Sequence, residues 1–356
     1  MSANLTVILG AGAARDVVHI TDPGGNLEEV KDRRYRPPTV ASLFNHIDGW
    51  EDNYNLFPGV VSTLRDLRNA VQVSRGAVTV ENFLARLKSS SEEYERKQFR
   101  QFPVFLQYLF GWISREYCRY PSNYFSLINK TLTQQFSSVA FVTLNYDLLF
   151  DQALQQHHAT RFVSNSFDLY TSSPKWKYFK IHGSVNWGRE IDQHFISNKG
   201  DALDTLLSNI DQIGDHLDKA LGKWTLDDSF LKVDSNRRLI FPAISVPVGE
   251  SKLNCPPEHI QKLKQHLDNC HNYLLIGYSA FDKDLLVLLD EKNNGFGKVL
   301  IVSESEKSAS EIRARLMSHG ELMGKLQGHV EIYSGNGFDE FMRSSDGLHK
   351  YLNNLS

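Results

Sequence analysis

Four short runs of the chain are apolar without alternation and end in small or polar residues. They are Leu5–Leu9 ending at Gly10, Val139–Leu144 ending at Asn145, Tyr273–Ile276 ending at Gly277, and Lys298–Val302 ending at Ser303. Continuous apolar runs of this length predict strands buried on both faces, as in a parallel sheet. Weaker strand patterns lie at Trp176–Ile181, which runs into His182, at Leu239–Phe241, and at His329–Tyr333 before Ser334-Gly335. Helical spacing of apolar positions follows three of the strong runs, at Asp147–Gln156, Asp282–Asp290 and Ser308–His319. Strand and helix therefore alternate, and the fold class expected is α/β with a doubly wound parallel sheet.

Residues 39–135 stand outside this alternation. Their periodicity predicts helices at Val40–Ile47, Val60–Val73, Val80–Leu87 and Glu92–Cys118, with Thr79 followed by Glu81-Asn82 as a helix start. This stretch is expected as a helical insertion. A second, smaller and more polar helical insertion is expected at 197–235, leaving a core of about 1–38 and 136–345 within a single domain over 1–356. The sequence shows no internal repeat and no low-complexity tract.

Composition narrows the function classes. Of 356 residues, 41% are apolar, enough for a sizeable core, and the formal net charge of −3 gives no global basic field for nucleic acid or anionic membrane. The cysteines Cys118, Cys255 and Cys270 are far apart and show no CxxC spacing, so a four-cysteine zinc site is not expected. Met1-Ser2-Ala3-Asn4 is not followed by a basic stretch and a long apolar run, so a secretory signal is not expected, and no apolar run approaches the ~20 residues of a membrane helix. The expectation is a cytoplasmic protein without a metal.

The candidate chemistry sits at strand ends, where open α/β sheets bind ligands. Gly10-Ala11-Gly12-Ala13-Ala14 follows the first strand; a glycine turn entering a helix lets backbone N–H groups approach a phosphate, or merely turns the chain tightly. Arg15 is a phosphate contact or an exposed helix charge. Thr143-Leu144-Asn145-Tyr146-Asp147 ends the second strand, where Asn145 also fits a turn and Asp147 a helix N-cap. Lys180-Ile181-His182-Gly183-Ser184 places a histidine at a strand end beside a glycine that leaves it room. Ile276-Gly277-Tyr278-Ser279 offers a glycine and a small hydroxyl, with Asp282 as a cap for the next helix. Glu304, after Ser303, suits a ribose hydroxyl. Ser334-Gly335-Asn336-Gly337-Phe338 either wraps an adenine or turns the chain.

In this order, Gly-Ala-Gly, Thr-x-Asn-x-Asp, His-Gly-Ser and Gly-Tyr-Ser, the motifs resemble the Sir2 (sirtuin) superfamily, in particular the Sir2-like NAD hydrolases of bacterial anti-phage defence. The resemblance covers residues 5–30 and 136–340 and includes the segment from Ile240-Phe241-Pro242-Ala243 to Gly249-Glu250. It implies a Rossmann-like sheet binding NAD as substrate. Gly10, Ala11 and Gly12 would take the phosphates. Asn145 would orient a water or the ribose hydroxyls, Asp147 would hold the nicotinamide carboxamide, and His182 would be the base. Gly277 and Ser279 would contact phosphate and adenine ribose. Two features of the protein deacylases are missing, the four-cysteine zinc ribbon and the Pro-Asp-Phe-Arg stretch after the glycine loop.

The reaction implied is cleavage of the nicotinamide–ribose bond through an oxocarbenium-like ribose, giving nicotinamide and ADP-ribose. An imidazole with an ordinary pKa of ~6.5 suits the base. The rival readings are a deacylase or ADP-ribosyltransferase, a non-catalytic module sensing NAD or ADP-ribose, and a dehydrogenase, which the absent third glycine disfavours. The resemblance also implies a homo-oligomer, with residues 39–135 as its surface, or a separate partner such as an ATPase/helicase or an Argonaute-type sensor.

Overall fold

A computed structural model of the chain describes residues 3–15, 19–21, 27–29, 37–39, 43, 54–74, 78–117, 122–158, 160–163, 165–197, 200–227, 239–248 and 253–355. In chain order its strands are β1 (Asn4–Leu9), β2 (His19–Thr21), β3 (Leu27–Glu29), β4 (Ser138–Thr143), β5 (Trp176–Lys180), β6 (Gly183–Ile191), β7 (Leu221–Leu226), β8 (Ile240–Ile244), β9 (Asn272–Ile276), β10 (Val299–Val302) and β11 (Val330–Ile332). The described chain divides into two compact units.

The first unit comprises Met1–Lys31, Tyr117–Ile181 and Cys255–Ser356. Its centre is a six-stranded sheet in the order β11-β10-β9-β1-β4-β5, parallel throughout. The four strong runs became strands β1, β4, β9 and β10 because they have no polar face to show to water, and two of the weaker runs, which carry Lys177 in β5 and the exposed Glu331 in β11, form the two edges of the sheet. Leu5, Val7, Ile8 and Leu9 of β1 are fully buried, each contributing roughly 1.5–3 kcal/mol of transfer free energy. Parallel neighbours need crossovers, which the helices Leu149–Gln156, Pro257–Asp268, Lys283–Asp290 and Glu306–Met317 help to supply. The order runs outward from β1 in both directions, through β4 and β5 on one side and β9, β10 and β11 on the other. This is the Rossmann-like doubly wound arrangement, and its switch point lies between β1 and β9.

Register sets the carboxyl edge. Leu9 pairs with Thr143 on one side and Ile276 on the other, Thr143 pairs with Lys180, and Val302 pairs with Ile276. The residues just after these therefore emerge along one edge of the sheet.

The second unit comprises Asp32–Glu116 and His182–Asn254. It holds the helices Pro58–Val73, Val80–Lys88 and nearly all of Glu93–Tyr117, and a three-stranded antiparallel sheet in the order β7-β6-β8. Thr79 caps its helix as expected, its Oγ1 accepting from the Asn82 N–H at 3.2 Å. The Val40–Ile47 prediction falls largely outside the described residues.

The strands β6, β7 and β8 differ from the sequence expectation. The Leu239–Phe241 pattern is strand β8, but it pairs antiparallel with β6 and lies outside the parallel sheet. Strand β6 reads as polar along Ser184 and Asn186, yet both side chains are fully buried, Ser184 Oγ donating to Asn186 Oδ1 at 2.8 Å. That pairing gives Ser184 Oγ and Asn186 Oδ1 a buried partner, and the two polar residues mask the strand from a hydropathy reading. Strand β7 interrupts the polar stretch expected to be helical, because Arg189 of β6 donates to the Leu221 and Gly222 carbonyls and holds it extended. No helix among the described residues is long and apolar enough to cross a membrane.

Candidate functional site

The glycine turn after β1 packs directly against the turn after β9. The Gly10 N–H donates to the Ile276 carbonyl at 3.0 Å and the Gly12 N–H to the Gly277 carbonyl at 3.1 Å. A Cβ on Gly10 would strike the Gly277 carbonyl and stand 2.7 Å from Tyr278 Cα; one on Gly12 would stand 2.9 Å from Gly277 Cα. Gly277 has φ +59°, and its own Cβ would collide with the Ala13 N–H group. Two glycines of one turn, and a third distant from them in sequence, are thus required by one close approach at the switch point. Only Ala13 and Ala14 of the short helix Ala11–Arg15 are buried; Arg15 is exposed.

Asn145 follows β4 on the other side of β1. Its Nδ2 donates to the Gly10 carbonyl at 3.0 Å, and its backbone N–H donates to Thr143 Oγ1 at 3.1 Å. The first bond fixes which way the amide faces and leaves Oδ1 as its acceptor end. Asp147 is 3% exposed, and its Oδ1 accepts from the Leu149 N–H at 3.0 Å. That bond makes Asp147 a turn residue ahead of a helix that begins at Leu149, two residues later than the spacing predicts. Its Oδ2 is buried with no hydrogen-bond partner among the described residues. Burial, opposed by the Lys180 ammonium and the Leu149 N–H but reinforced by the Asp151 charge, holds the Asp147 carboxyl above its ordinary value.

Two further groups were not singled out in the sequence. Lys180, at the end of β5, is fully buried; its Nζ donates to the Asp147 carbonyl at 2.6 Å and to Asp151 Oδ2 at 2.9 Å. Asp151 also accepts from Tyr170 Oη at 3.0 Å and Tyr178 Oη at 2.9 Å. The sequence did carry a signal: a lysine closing a buried strand requires a counter-charge, and Asp151 is an acidic residue among apolar helix positions. The second group is Tyr124, which packs edge-on to Phe150 at 5.1 Å; burial and the nearby Asp147 charge raise its phenol well above the usual value.

The remaining candidates spread along the edge. Ser279 is exposed, and its carbonyl accepts from Arg315 Nε at 2.8 Å. Asp282 caps its helix as expected, accepting from the Leu285 N–H at 2.7 Å. Glu304 is exposed after β10, two strands from β1, whereas Ser303 beside it is buried and bonds Ser308 Oγ at 2.9 Å. Asn336 is exposed after β11, three strands from β1, its N–H donating to Glu340 Oε2 at 2.8 Å. The first unit therefore gathers Gly10, Gly12, Asn145, Asp147 and Gly277 about β1, while Arg15, Ser279, Glu304 and Asn336 are exposed.

His182 begins the second chain segment of the second unit and is 6% exposed. Its carbonyl accepts from the Ser245 N–H at 3.0 Å. Gly183 after it has φ +86°, and a Cβ there would overlap the Ala243 carbonyl. The glycine beside the histidine is dictated by the closeness of β6 to β8. Gly249 and Glu250 lie outside the described residues. No group of three or more His, Cys, Asp or Glu able to hold a metal occurs among the described residues.

A doubly wound α/β sheet with a glycine turn and an Asn-x-Asp strand end at its switch region defines a nucleotide-binding class of fold. The model of the SIR2-like domain family matches residues 139–322, just over half of the chain, and the chain belongs to that family. Two solved structures are similar to it. One is a mutant Sir2 homologue in complex with ADP-ribose, 11% identical, with a TM-score of 0.42 over 99% of this chain and 92% of that one. The other is a different mutant of a Sir2 homologue, also in complex with ADP-ribose, 13% identical, with a TM-score of 0.38 over 90% of this chain and 95% of that one. No curated protein matches the sequence.

Proposed function

We propose that the protein binds NAD and hydrolyses its nicotinamide–ribose bond, releasing nicotinamide and ADP-ribose. The main support is Asp147 Oδ2, a buried acceptor with no partner beside an oriented Asn145 amide. A buried carboxylate oxygen without a donor is costly, so a ligand N–H placed there is stabilised. The carboxamide of nicotinamide supplies such an N–H. The resemblance assigns the phosphates of NAD to the glycine turn Gly10-Ala11-Gly12.

Asp147 then holds the leaving group, and Asn145 Oδ1 accepts a hydrogen bond from water or a ribose hydroxyl. The water oxygen bonds to the ribose carbon. The carbon–nitrogen bond breaks, its electron pair stays on the nicotinamide nitrogen, and the water proton passes to a base. The resemblance gives that base role to His182. Arg15, Ser279, Glu304 and Asn336 are proposed contacts to the phosphates and adenosine half, and the whole chain is proposed as one SIR2-like domain.

The proposed setting is NAD depletion in anti-phage defence, by a homo-oligomer or with an ATPase/helicase or Argonaute-type partner. Incubating the purified chain with NAD and quantifying nicotinamide and ADP-ribose tests the chemistry. Release by wild type and its loss in Asn145→Ala and His182→Ala is expected. Equal turnover by the variants would overturn the site. Binding without turnover by wild type would favour a sensing module instead.

A further inference from the structure

The sheet end beside Asn145 carries an unusual charge count. Asp147 and Asp151 are both almost fully buried, at 3% and 1% exposed, and one buried ammonium, Lys180, serves the two. The division of that ammonium is unequal. Asp151 receives the ion pair at 2.9 Å and two tyrosine hydroxyls, so both its oxygens are satisfied. Asp147 receives Lys180 only at its backbone carbonyl, 2.6 Å away, and one N–H at Oδ1. Its Oδ2 is left over.

We propose that Lys180 and Asp151 are positioning residues for Asp147, the ammonium clamping its backbone and the charge pair setting how readily its free carboxylate oxygen loses a proton. Lys180 sits in β5 opposite Thr143, so the sheet register itself delivers the ammonium to the strand end that carries Asn145 and Asp147. Tyr170 and Tyr178, stacked at 5.5 Å, fix Asp151 in turn. The result is a hydrogen-bonded chain from two phenols, through Asp151 and Lys180, to the backbone of Asp147. Saturation of Asp151 concentrates the unmatched negative charge on Asp147.

The charged and titratable groups facing Asp147 are Lys180 and Tyr178 from β5, Asp151 from the adjoining helix, and Tyr124 from the helix Ser122–Leu132. Burial keeps both phenols neutral well above the usual tyrosine range. Lys180 and Asp151 are thus the two whose charges act on Asp147, in opposite directions. For the reaction this inference rests on the reading of Asp147 as the carboxamide acceptor, and the coupling itself is measurable without NAD.

The test follows the Asp147 carboxyl in the full chain by NMR with carboxyl-labelled aspartate, its signal identified by its loss in Asp147→Asn. Removing the cation in Lys180→Met should move the Asp147 titration up by about one pH unit or more, and removing the anion in Asp151→Asn should move it down by a similar amount. Opposite shifts are the signature, because loosening of the fold would move both variants the same way. Lys180→Arg keeps the charge and should restore a titration near that of wild type. If Lys180→Met fails to fold, the downward shift in Asp151→Asn and the restored titration in Lys180→Arg decide the matter. No shift, or shifts of one sign, overturns the proposal. In parallel, the acid limb of nicotinamide release from NAD should move with the carboxyl. Opposite carboxyl shifts in a protein that leaves NAD intact would refute the proposed function and spare the coupling. Turnover with an unmoved acid limb would refute the assigned role of the pair.

Discussion

Asn145 Nδ2 donates to the carbonyl of Gly10 at 3.0 Å, joining the end of β4 to the glycine turn after β1. The bond turns a flexible amide into one with a fixed acceptor end, and it satisfies a buried carbonyl. Asn145→Ala removes one of that carbonyl's two donors, the Ala13 N–H remaining at 3.0 Å, and should cost about 0.5–1.5 kcal/mol of stability. Asn145→Asp also sets a carboxylate against it. Both variants should lose nicotinamide release by on the order of 10²-fold or more. Thermal melting and product assays on the same preparations separate the two effects.

Gly277 should tolerate no side chain. With φ +59° and Ala13 behind it, Gly277→Ala should cost roughly 2–4 kcal/mol through strain and displacement of the glycine turn. Ser279→Ala, two residues on and exposed, should leave the melting temperature almost unchanged. Equal melting of the two variants would show that the turns after β1 and β9 do not depend on their close approach.

His182→Ala separates binding from chemistry. If His182 is the base, kcat for nicotinamide release should fall 10²–10⁴-fold while the NAD affinity measured by calorimetry stays within a few fold. Gly183→Ala should instead damage folding, since it disturbs β6 against β8. An unchanged kcat in a folded His182→Ala protein removes the histidine from the mechanism.

Acid should destabilise the first unit through two histidines of the helix Pro257–Asp268. Burial lowers His259 and His266 to about 4, with the charges of Lys262 and Lys177 acting the same way. The unfolded chain binds their protons near pH 6.5, so stability is complete above that value and is lost as pH falls from about 6.5 to about 4. The loss is at most roughly 3 kcal/mol for each histidine. Urea midpoints between pH 7.5 and 4.5 should show the decline, and a His259→Gln, His266→Gln double variant should flatten it.

Much of the site was legible as a series of strand ends. Gly10, Asn145 and Gly277 each follow an apolar run, and composition alone locates them, because a run with no polar face has to be buried. Asp282 and Thr79 were readable as caps from their immediate neighbours. Lys180 and Asp151 were harder. Each is an ordinary charged residue until its partner is known, and the partner lies 29 positions away. Strand β6 was hidden for a related reason: Ser184 and Asn186 are buried and bonded to each other, so polarity misreported their location.

The sequence by itself determined the α/β alternation, the four strong apolar runs at the centre of the parallel sheet and the residues that end them, since burial of a short apolar run is a local property. Only the tertiary structure decided the strand order, which of those ends become neighbours, and why the glycines are there. Gly10 and Gly12 answer to Gly277, and Asp147 to Lys180, through backbone contacts and charges that depend on register between distant strands. Close approach and electrostatic pairing act through space, and one-dimensional spacing carries no record of which distant residue arrives.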